Sequence, residues 1–583
     1  MKKLSSALWL TLFAFSLCSC SFEEAFSTNL GTTIDTSAIK TETDLHIRDK
    51  DLLYTMYDDL EIVTMYLTVS MGNEAENTNH TWEEINTYSV YDYDRMGVER
   101  YQVAGLLQIG NENGLMEGEL GYGQVAPNCT VQIRGQSSSR NPQKNYKISI
   151  KDNKGDWRGQ TTIALNKHQG DGLRFRNKLA FDMLADIDEL MSLRTTFVRL
   201  YVKDTTKGGD AQFEDYGIYT QVEQLNKTAL KAHGLDNRGH LYKVNFCEFY
   251  RYEDIIVLQD DPRYDIKKFE EILEIKGDED HTKLIRMLEK VNDYSIPIEQ
   301  ILEEHFDTEN IAYWLAFNML VGNVDTQSRN FYLYSPQNID RWYILPWDND
   351  GSFFRTEYAV TGRIDYEEWE SGVSNYWGNV LFQRCLKSES FRKILDDAVE
   401  ALRTKLTPEY VNSYALPYAE LLKPLIYTGR DLIYAPLTES EYTEVLGNIN
   451  NEIAANYNRY KESLHKPMPF YIGVPQKKGD GYTVEWDSAY DFNSEDITYT
   501  FELSRTYDFS ETIVKKTDMV IPTITLPKLS EGQYFMRVIA QNESGITQVA
   551  FDYYRLQNGK VYGTKCFYVD KDGGIVEDVY IEE

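Results

Sequence analysis

Along the chain, the spacing of apolar positions changes rhythm twice. From Leu60 to about Val125, short runs alternate apolar and polar residues between glycines, beginning Leu60-Glu61-Ile62-Val63-Thr64-Met65-Tyr66-Leu67-Thr68-Val69. Such period-two alternation, rich in β-branched and aromatic residues, predicts strands. Further strands are expected over 130–134 and 145–150, a helix over 175–185, a strand over 197–202, and a strand over 216–222 running into a helix that begins near Gln224. From Lys267 onward the spacing becomes three-to-four. It predicts helices over 266–275, 282–292, 308–320, 390–405, 409–427 and 439–464, with Pro417 expected to break or kink the helix that contains it. Beyond Pro467 alternation returns over 482–486, 498–504 and 533–541, separated by turn signals.

Inside the helical part lies one β interruption. Phe331-Tyr332-Leu333-Tyr334 and Arg341-Trp342-Tyr343-Ile344-Leu345-Pro346 flank the turn-forming Ser335-Pro336-Gln337-Asn338-Ile339-Asp340, a hairpin pattern. Pairing the two strands sets Asn330, which precedes the first, beside Asp348, which follows the second. Asp325 stands five residues before Asn330. An Asp, an Asn and, after a hairpin, another Asp is the order in which protein kinases place the acceptor of a hydroxyl proton and two magnesium ligands. Magnesium prefers oxygen donors, commonly one or two carboxylates completed by phosphate oxygens.

A chain of 583 residues exceeds one compact core, so two to four domains are expected. Its formal charge of −32 repels a phosphate backbone, which excludes non-specific nucleic-acid binding as a function. Lys2-Lys3, an apolar stretch from Leu8 to Leu17 too short to span a bilayer, and Leu17-Cys18-Ser19-Cys20 read as a bacterial lipoprotein leader, residues 1–20, with Cys20 as the acylated residue. Residues 21–45, rich in Ser and Thr, are expected to tether the protein to the membrane from outside the cytoplasm. Cys129, Cys247, Cys385 and Cys566 are scattered without a C-x-x-C pair, so neither a zinc site nor a dense disulfide framework is indicated. The eight histidines form no catalytic or metal-binding arrangement, and acidic runs such as Asp278-Glu279-Asp280 read as solvated loops.

Several strings, in order, resemble the CotH family of atypical kinases. They are Ile133-Arg134-Gly135-Gln136-Ser137-Ser138-Ser139 with Lys144-Asn145-Tyr146-Lys147-Ile148; Arg176-Asn177-Lys178-Leu179-Ala180-Phe181; Phe197-Val198-Arg199-Leu200-Tyr201-Val202; Gly217-Ile218-Tyr219 leading to Glu223; Gly239-His240-Leu241-Tyr242-Lys243; Asn323 to Tyr334; and Pro346-Trp347-Asp348-Asn349-Asp350. The resemblance implies a kinase-like domain over 126–466, using ATP and Mg (or Mn) to phosphorylate protein Ser or Thr hydroxyls. It implies Asp325 as the catalytic residue and Asn330 and Asp348 as metal ligands, with Asp350 either a further ligand or a turn residue. The chain has no Gly-x-Gly-x-x-Gly loop, so nucleotide clamping would fall to the turn from Arg134 to Ser139, including Ser137. Lys144, Lys147 and Lys243 are the candidates for the phosphate contact, Lys147 being favoured over Lys144 because it lies within a strand. Glu223 would be the acid that pairs with that lysine.

The C-terminal string Leu529-Ser530-Glu531-Gly532-Gln533-Tyr534-Phe535-Met536-Arg537-Val538 resembles the corner of a fibronectin type III sandwich, with Trp486 as core tryptophan and Tyr534 as corner tyrosine. The expected fold class is therefore multidomain α+β. A β-rich region, 46–125, precedes an atypical two-lobed kinase-like domain, 126–466; a fibronectin III-like sandwich, 469–556, and a small hairpin extension, 557–583, follow. A protein or glycan partner is expected for the sandwich. The competing expectation is a non-catalytic surface adhesion or scaffold lipoprotein that keeps the CotH fold.

Overall fold

The alternation that opens the chain becomes a barrel. The computed structural model describes residues 46–47, 49–362, 369–557 and 559–578; the leader, Cys20 and the tether lie outside them. The first strands are β1 (Ile62–Ser70), β2 (Val103–Asn111), β3 (Gly114–Leu115), β4 (Cys129–Arg134), β5 (Asn145–Ile150), β6 (Thr162–Asn166), β7 (Thr195–Asp204) and β8 (Glu214–Glu223). They form one eight-stranded sheet in the order β1-β7-β8-β6-β5-β4-β2-β3, and β1 also pairs with β2, closing the sheet on itself with β3 outside the ring. β1 runs parallel to β7, Ile62 opposite Phe197, and antiparallel to β2, Thr64 opposite Gly110. Every second side chain then fills the interior: Val63, Met65, Leu67 and Val69 from β1, Cys129, Val131 and Ile133 from β4, Tyr146, Ile148 and Ile150 from β5. The sheet passes residue 125 without a break, so the β-rich region expected over 46–125 supplies strands to the same barrel that the kinase-like motifs begin.

The intervening outward positions of β4 and β5 carry Gln132 opposite Lys147 and Arg134 opposite Asn145. A second, four-stranded sheet, ordered β10-β9-β11-β12, consists of β9 (His240–Val244), β10 (Leu273–Ile275), β11 (Phe331–Ser335) and β12 (Tyr343–Pro346). Around it pack the helices. Thr308–Val321 is apolar on nearly all sides and buried among them, as such a helix must be. Asp307 caps its start by accepting from the Asn310 amide, and Gly322 ends it at φ +72°. A short helix, Gly429–Ile433, fastens the helical part to the barrel: the Asp431 carboxylate accepts from the Ile218 amide (2.8 Å) and Gln143 Nε2 (3.0 Å) and pairs with Lys167 Nζ (2.7 Å).

Several expectations change in detail. The helix expected over 266–275 stops at Ile272, and Leu273–Ile275 becomes β10 because it pairs with β9. The helix Pro408–Ile426 runs through both Pro417 and Pro424 rather than breaking. The expected 439–464 helix divides into Glu439–Asn448 and Glu452–Ser463 around a 3₁₀ turn. All four described cysteines, Cys129, Cys247, Cys385 and Cys566, are buried free thiols. Among the described residues no helix is long and apolar enough to cross a membrane.

Beyond Pro467, two antiparallel sheets enclose one core. Gln476–Lys478, Gly481–Glu485 and Thr523–Leu526 form the first; Thr512–Met519, Ile497–Ser504, Gly532–Asn542, Thr564–Val569 and Ile575–Glu577 form the path of the second. Trp486 is buried against Phe501, and the Tyr534 hydroxyl donates to the Ser530 carbonyl at 2.8 Å. The strand Thr564–Val569 pairs with Gly532–Arg537, so part of the expected extension belongs to the sheet. Within the expected extension Thr564–Val569 turns back through 570–574 to pair with Ile575–Glu577, and a second hairpin joins Tyr553–Leu556 to Gly559–Tyr562, straddling residue 556.

Candidate functional site

The β11–β12 pairing sets the geometry. Phe331 lies opposite Pro346, so the residues just outside that pair, Asn330 and Trp347-Asp348, leave the same end of the hairpin. Asn330 (φ +62°) and Asp348 (φ +51°) both adopt the left-handed conformation, as does Phe353 (φ +59°). Backbone of this kind costs free energy in a non-glycine residue and persists where the surroundings impose it. Asn330 Nδ2 donates to Asp325 Oδ2 at 3.1 Å, and Arg329 Nε stands 3.5 Å from Asp325 Oδ1. The Asp325 side chain is 58% exposed, open to an incoming group.

Two carboxylates meet beside this pair. Asp348 is raised well above the usual aspartate range, first by desolvation and then by Asp350, against the pull of Arg134, His168 and Lys243. Asp325 is raised by desolvation and by Asp350 and Glu370, against Arg329 and Asn330. Asp350, half-exposed in a 3₁₀ turn, points a carboxylate oxygen at His168 Nδ1, 3.5 Å away. Among the described residues no group of three or more His, Cys, Asp or Glu is arranged to hold a metal. The local donors are instead two mutually repelling carboxylates and the Asn330 amide, a hard-oxygen set that suits magnesium or manganese completed by water and phosphate oxygens.

The basic side is assembled from the barrel and the second sheet. Arg134, at the end of β4, donates to Asn166 Oδ1 and lies over the Trp347 ring at 5.8 Å. Lys243 on β9 sits opposite Tyr332 of β11, with its Nζ 3.8 Å from Glu274. Despite desolvation, Glu274 is held below the usual glutamate range by Lys276, Lys243 and Lys147 together. Lys276 hydrogen-bonds that acid directly, Lys243 pairs with it at longer range, and Lys147 adds only its field.

Two expected residues fall elsewhere. Lys144 is buried and donates to the Ser139 carbonyl at 2.6 Å, bracing the 3₁₀ turn Ser137–Arg140. Glu223 ends β8 rather than starting a helix, and its carboxylate is taken by Arg194 and by His233 Nε2 (2.9 Å), far from any role as partner to the phosphate-contact lysine. The helix that follows begins at Lys227, capped by Asn226. Ser137 lies exposed at the start of its turn.

Residues with no role assigned from sequence hold the loop that carries Asp325. Asn375 Nδ2 donates to the Val324 carbonyl (3.0 Å), Asn379 Nδ2 to the Gln327 carbonyl (2.9 Å), and Thr326 Oγ1 hydrogen-bonds the Tyr376 hydroxyl (2.8 Å). The Cys247 amide donates to the Ser328 carbonyl at 2.7 Å. On the other side, Asn177 Oδ1 accepts from the Asn349 amide (3.1 Å), and fully buried Arg176 donates to the Phe353 carbonyl (2.8 Å) while pairing with Asp171 and Glu357. Asn177 and Arg176 belong to one of the family-like strings, which is the signal that marks them. His168 and Glu274 offered none beyond a glycine-rich turn and a helical spacing.

Comparison with known proteins finds a family match over the part of the chain that carries these residues. The family described as CotH kinase protein matches residues 131–460. The inner spore coat protein H of Bacillus subtilis (strain 168) is 25% identical over 305 residues, covering 51% of this chain and 77% of that protein. The crystal structure of the Helicobacter pylori proinflammatory kinase CtkA aligns over 54% of this chain and 94% of its own, at 10% identity and a TM-score of 0.25, too low to carry an argument. On a match that covers more than half its length, the chain belongs to the CotH kinase protein family.

Proposed function

We propose that this protein transfers the γ-phosphoryl group of ATP to a serine or threonine hydroxyl of a protein. The observation that carries the proposal is the hairpin register, which brings the hydrogen-bonded Asp325–Asn330 pair to the same end as Asp348. The acceptor oxygen bonds to the γ-phosphorus as its proton passes to the Asp325 carboxylate. The bond from that phosphorus to the β,γ-bridging oxygen breaks, and ADP leaves. The hydrogen bond from Asn330 and the exposure of the carboxylate support Asp325 in that role. Lys243, Lys147 and Arg134 place positive charge for the phosphates, with Glu274 paired to Lys243 and hydrogen-bonded by Lys276 beside them. Asp348, Asp350 and Asn330 would hold magnesium or manganese, which supplies neutralising charge to the phosphate oxygens.

The leader supports a location outside the cytoplasm, held to a membrane by a lipid on Cys20. The two C-terminal sheets, the buried Trp486 and the bond from the Tyr534 hydroxyl to the Ser530 carbonyl support a fibronectin III-like module that binds a protein or glycan.

The purified protein incubated with a hydroxyl-bearing acceptor and ATP labelled at either the γ or the α phosphate tests the reaction. Transfer of γ label alone, lost in Asp325→Ala, is expected. Transfer of α label would mean nucleotidyl transfer, and transfer of neither would favour a non-catalytic surface scaffold.

A further inference from the structure

The segment from Trp369 to Asn379 grips two parts of the molecule at once. Its later residues, Asn375, Tyr376 and Asn379, hold the loop of Asp325 through the backbone of Val324 and Gln327 and the hydroxyl of Thr326. Its first residues are held by the C-terminal hairpin. Glu370 Oε1 pairs with Lys560 Nζ at 2.7 Å, and the Tyr562 hydroxyl donates to Glu370 Oε2 at 2.5 Å. Trp369 packs edge-on against Phe551 (5.2 Å) and Tyr562 (5.7 Å).

This junction is built as an interior rather than as a loose domain contact. Phe551 and Met468 belong to the same core as the helices around the hairpin β11–β12. Trp377 packs on Tyr490 (5.2 Å) and Phe492 (5.7 Å). Glu370 is only 8% exposed, and a carboxylate so buried is stable only while paired and hydrogen-bonded. Among the described residues, both groups that bond its carboxylate, Lys560 and Tyr562, come from the hairpin. The charge of Glu370 also reaches Asp325, where it adds to the forces that raise it.

We propose that the hairpin Tyr553–Tyr562 is a clamp for the Asp325 loop, with Lys560 and Tyr562 as positioning residues acting through Glu370 and the segment behind it. The C-terminal module is then a working part of the transfer apparatus, not only an appendage for binding partners. The kinetic consequence rests on the phosphotransfer reading; the structural one does not.

The test uses the full chain with Lys560→Met, the conservative Lys560→Arg, and Lys565→Met as control. Lys565 makes ion pairs within the module, to Asp552 (3.1 Å) and Glu577 (3.0 Å), and among the described residues it has none with the 369–379 segment. Hydrogen exchange of the 323–330 amides and steady-state transfer are read together. Lys560→Met is expected to speed exchange across 323–330 and lower kcat roughly tenfold, with KM for ATP little changed, because displacement of a catalytic group costs rate before it costs nucleotide binding. Lys560→Arg restores both readouts, while Lys565→Met speeds exchange only within the module. Unchanged 323–330 exchange in Lys560→Met, or the same change in Lys565→Met, overturns the clamp. Faster exchange in Lys560→Met, with no phosphate transfer even from the unaltered protein, keeps the clamp and removes the kinase reading.

Discussion

Glu223 and Asp348 are both carboxylates set at the end of a strand, yet their surroundings are opposite. Around Glu223 the charges are matched: Arg194 and His233 share its two oxygens, and His233 reaches on to Asp49. Against a large desolvation cost, those partners hold Glu223 down at about 2 and His233 up at about 9. Around Asp348 no such match exists. Among the described residues no Lys or Arg nitrogen lies within ion-pair distance of it, and its neighbour Asp350 pushes it upward. A buried carboxylate satisfied by the protein is architecture. Asp348, half-buried and left short of positive charge beside a strained backbone and an exposed aspartate, is the kind of group that the proposed cation would complete.

Removing each kind should have opposite consequences. Asp325→Ala is expected to lower phosphate transfer by about 10²–10⁴-fold, the range of a lost general base, with the denaturant midpoint unchanged. Asp348→Ala should likewise abolish transfer without loss of stability, since its removal relieves repulsion from Asp350. Glu223→Gln should do the reverse. It leaves His233 and Arg194 buried with less compensation and is expected to cost about 3–5 kcal/mol in denaturant unfolding, while the folded fraction keeps its transfer rate.

The lysines sharpen the comparison at smaller scale. Lys243→Met and Lys147→Met should each raise KM for ATP roughly tenfold, the effect of losing one charge-assisted contact. Lys144→Met should leave KM unchanged and lower stability instead, because its ammonium is spent on the Ser139 carbonyl.

The smallest effect is in pH. His233 binds its proton more tightly folded, about 9, than unfolded, 6.5. Its stabilisation is therefore complete below pH 6.5 and is lost as pH rises toward 9. Glu223, at about 2 folded against 4.5, contributes fully above pH 4.5 and loses its contribution as pH falls toward 2. Unfolding midpoints measured across pH should decline more shallowly between 6.5 and 9 in His233→Gln than in the unaltered protein.

What could be read from sequence follows from distance along the chain. Asp325, Asn330 and Asp348 are joined by one hairpin whose turn and alternation are local, and the structure pairs Phe331 with Pro346 as that pattern requires. Glu274 was hidden because residues 266–275 keep helical spacing, and only pairing with β9 turns 273–275 into strand. The parallel partnership of β1 with β7 joins strands more than a hundred residues apart in the barrel and leaves no local mark. Glu223 was misassigned for a similar reason: Arg194 and His233 reach it from other elements, and neither is signalled by its neighbours. Asn375, in the 3₁₀ turn Gly372–Tyr376, and Asn379, the cap of the helix Val380–Lys387, bind backbone carbonyls from a stretch where no periodicity distinguishes a structural amide from a solvated one.

Calorimetric titration of ATP into the protein, with and without magnesium, and into Asp348→Asn tests most directly whether the unmatched carboxylates exist to meet a nucleotide-bound cation. Binding that requires both magnesium and Asp348 is the predicted result. Equal affinity without magnesium, or undiminished magnesium-dependent binding by Asp348→Asn, would contradict it.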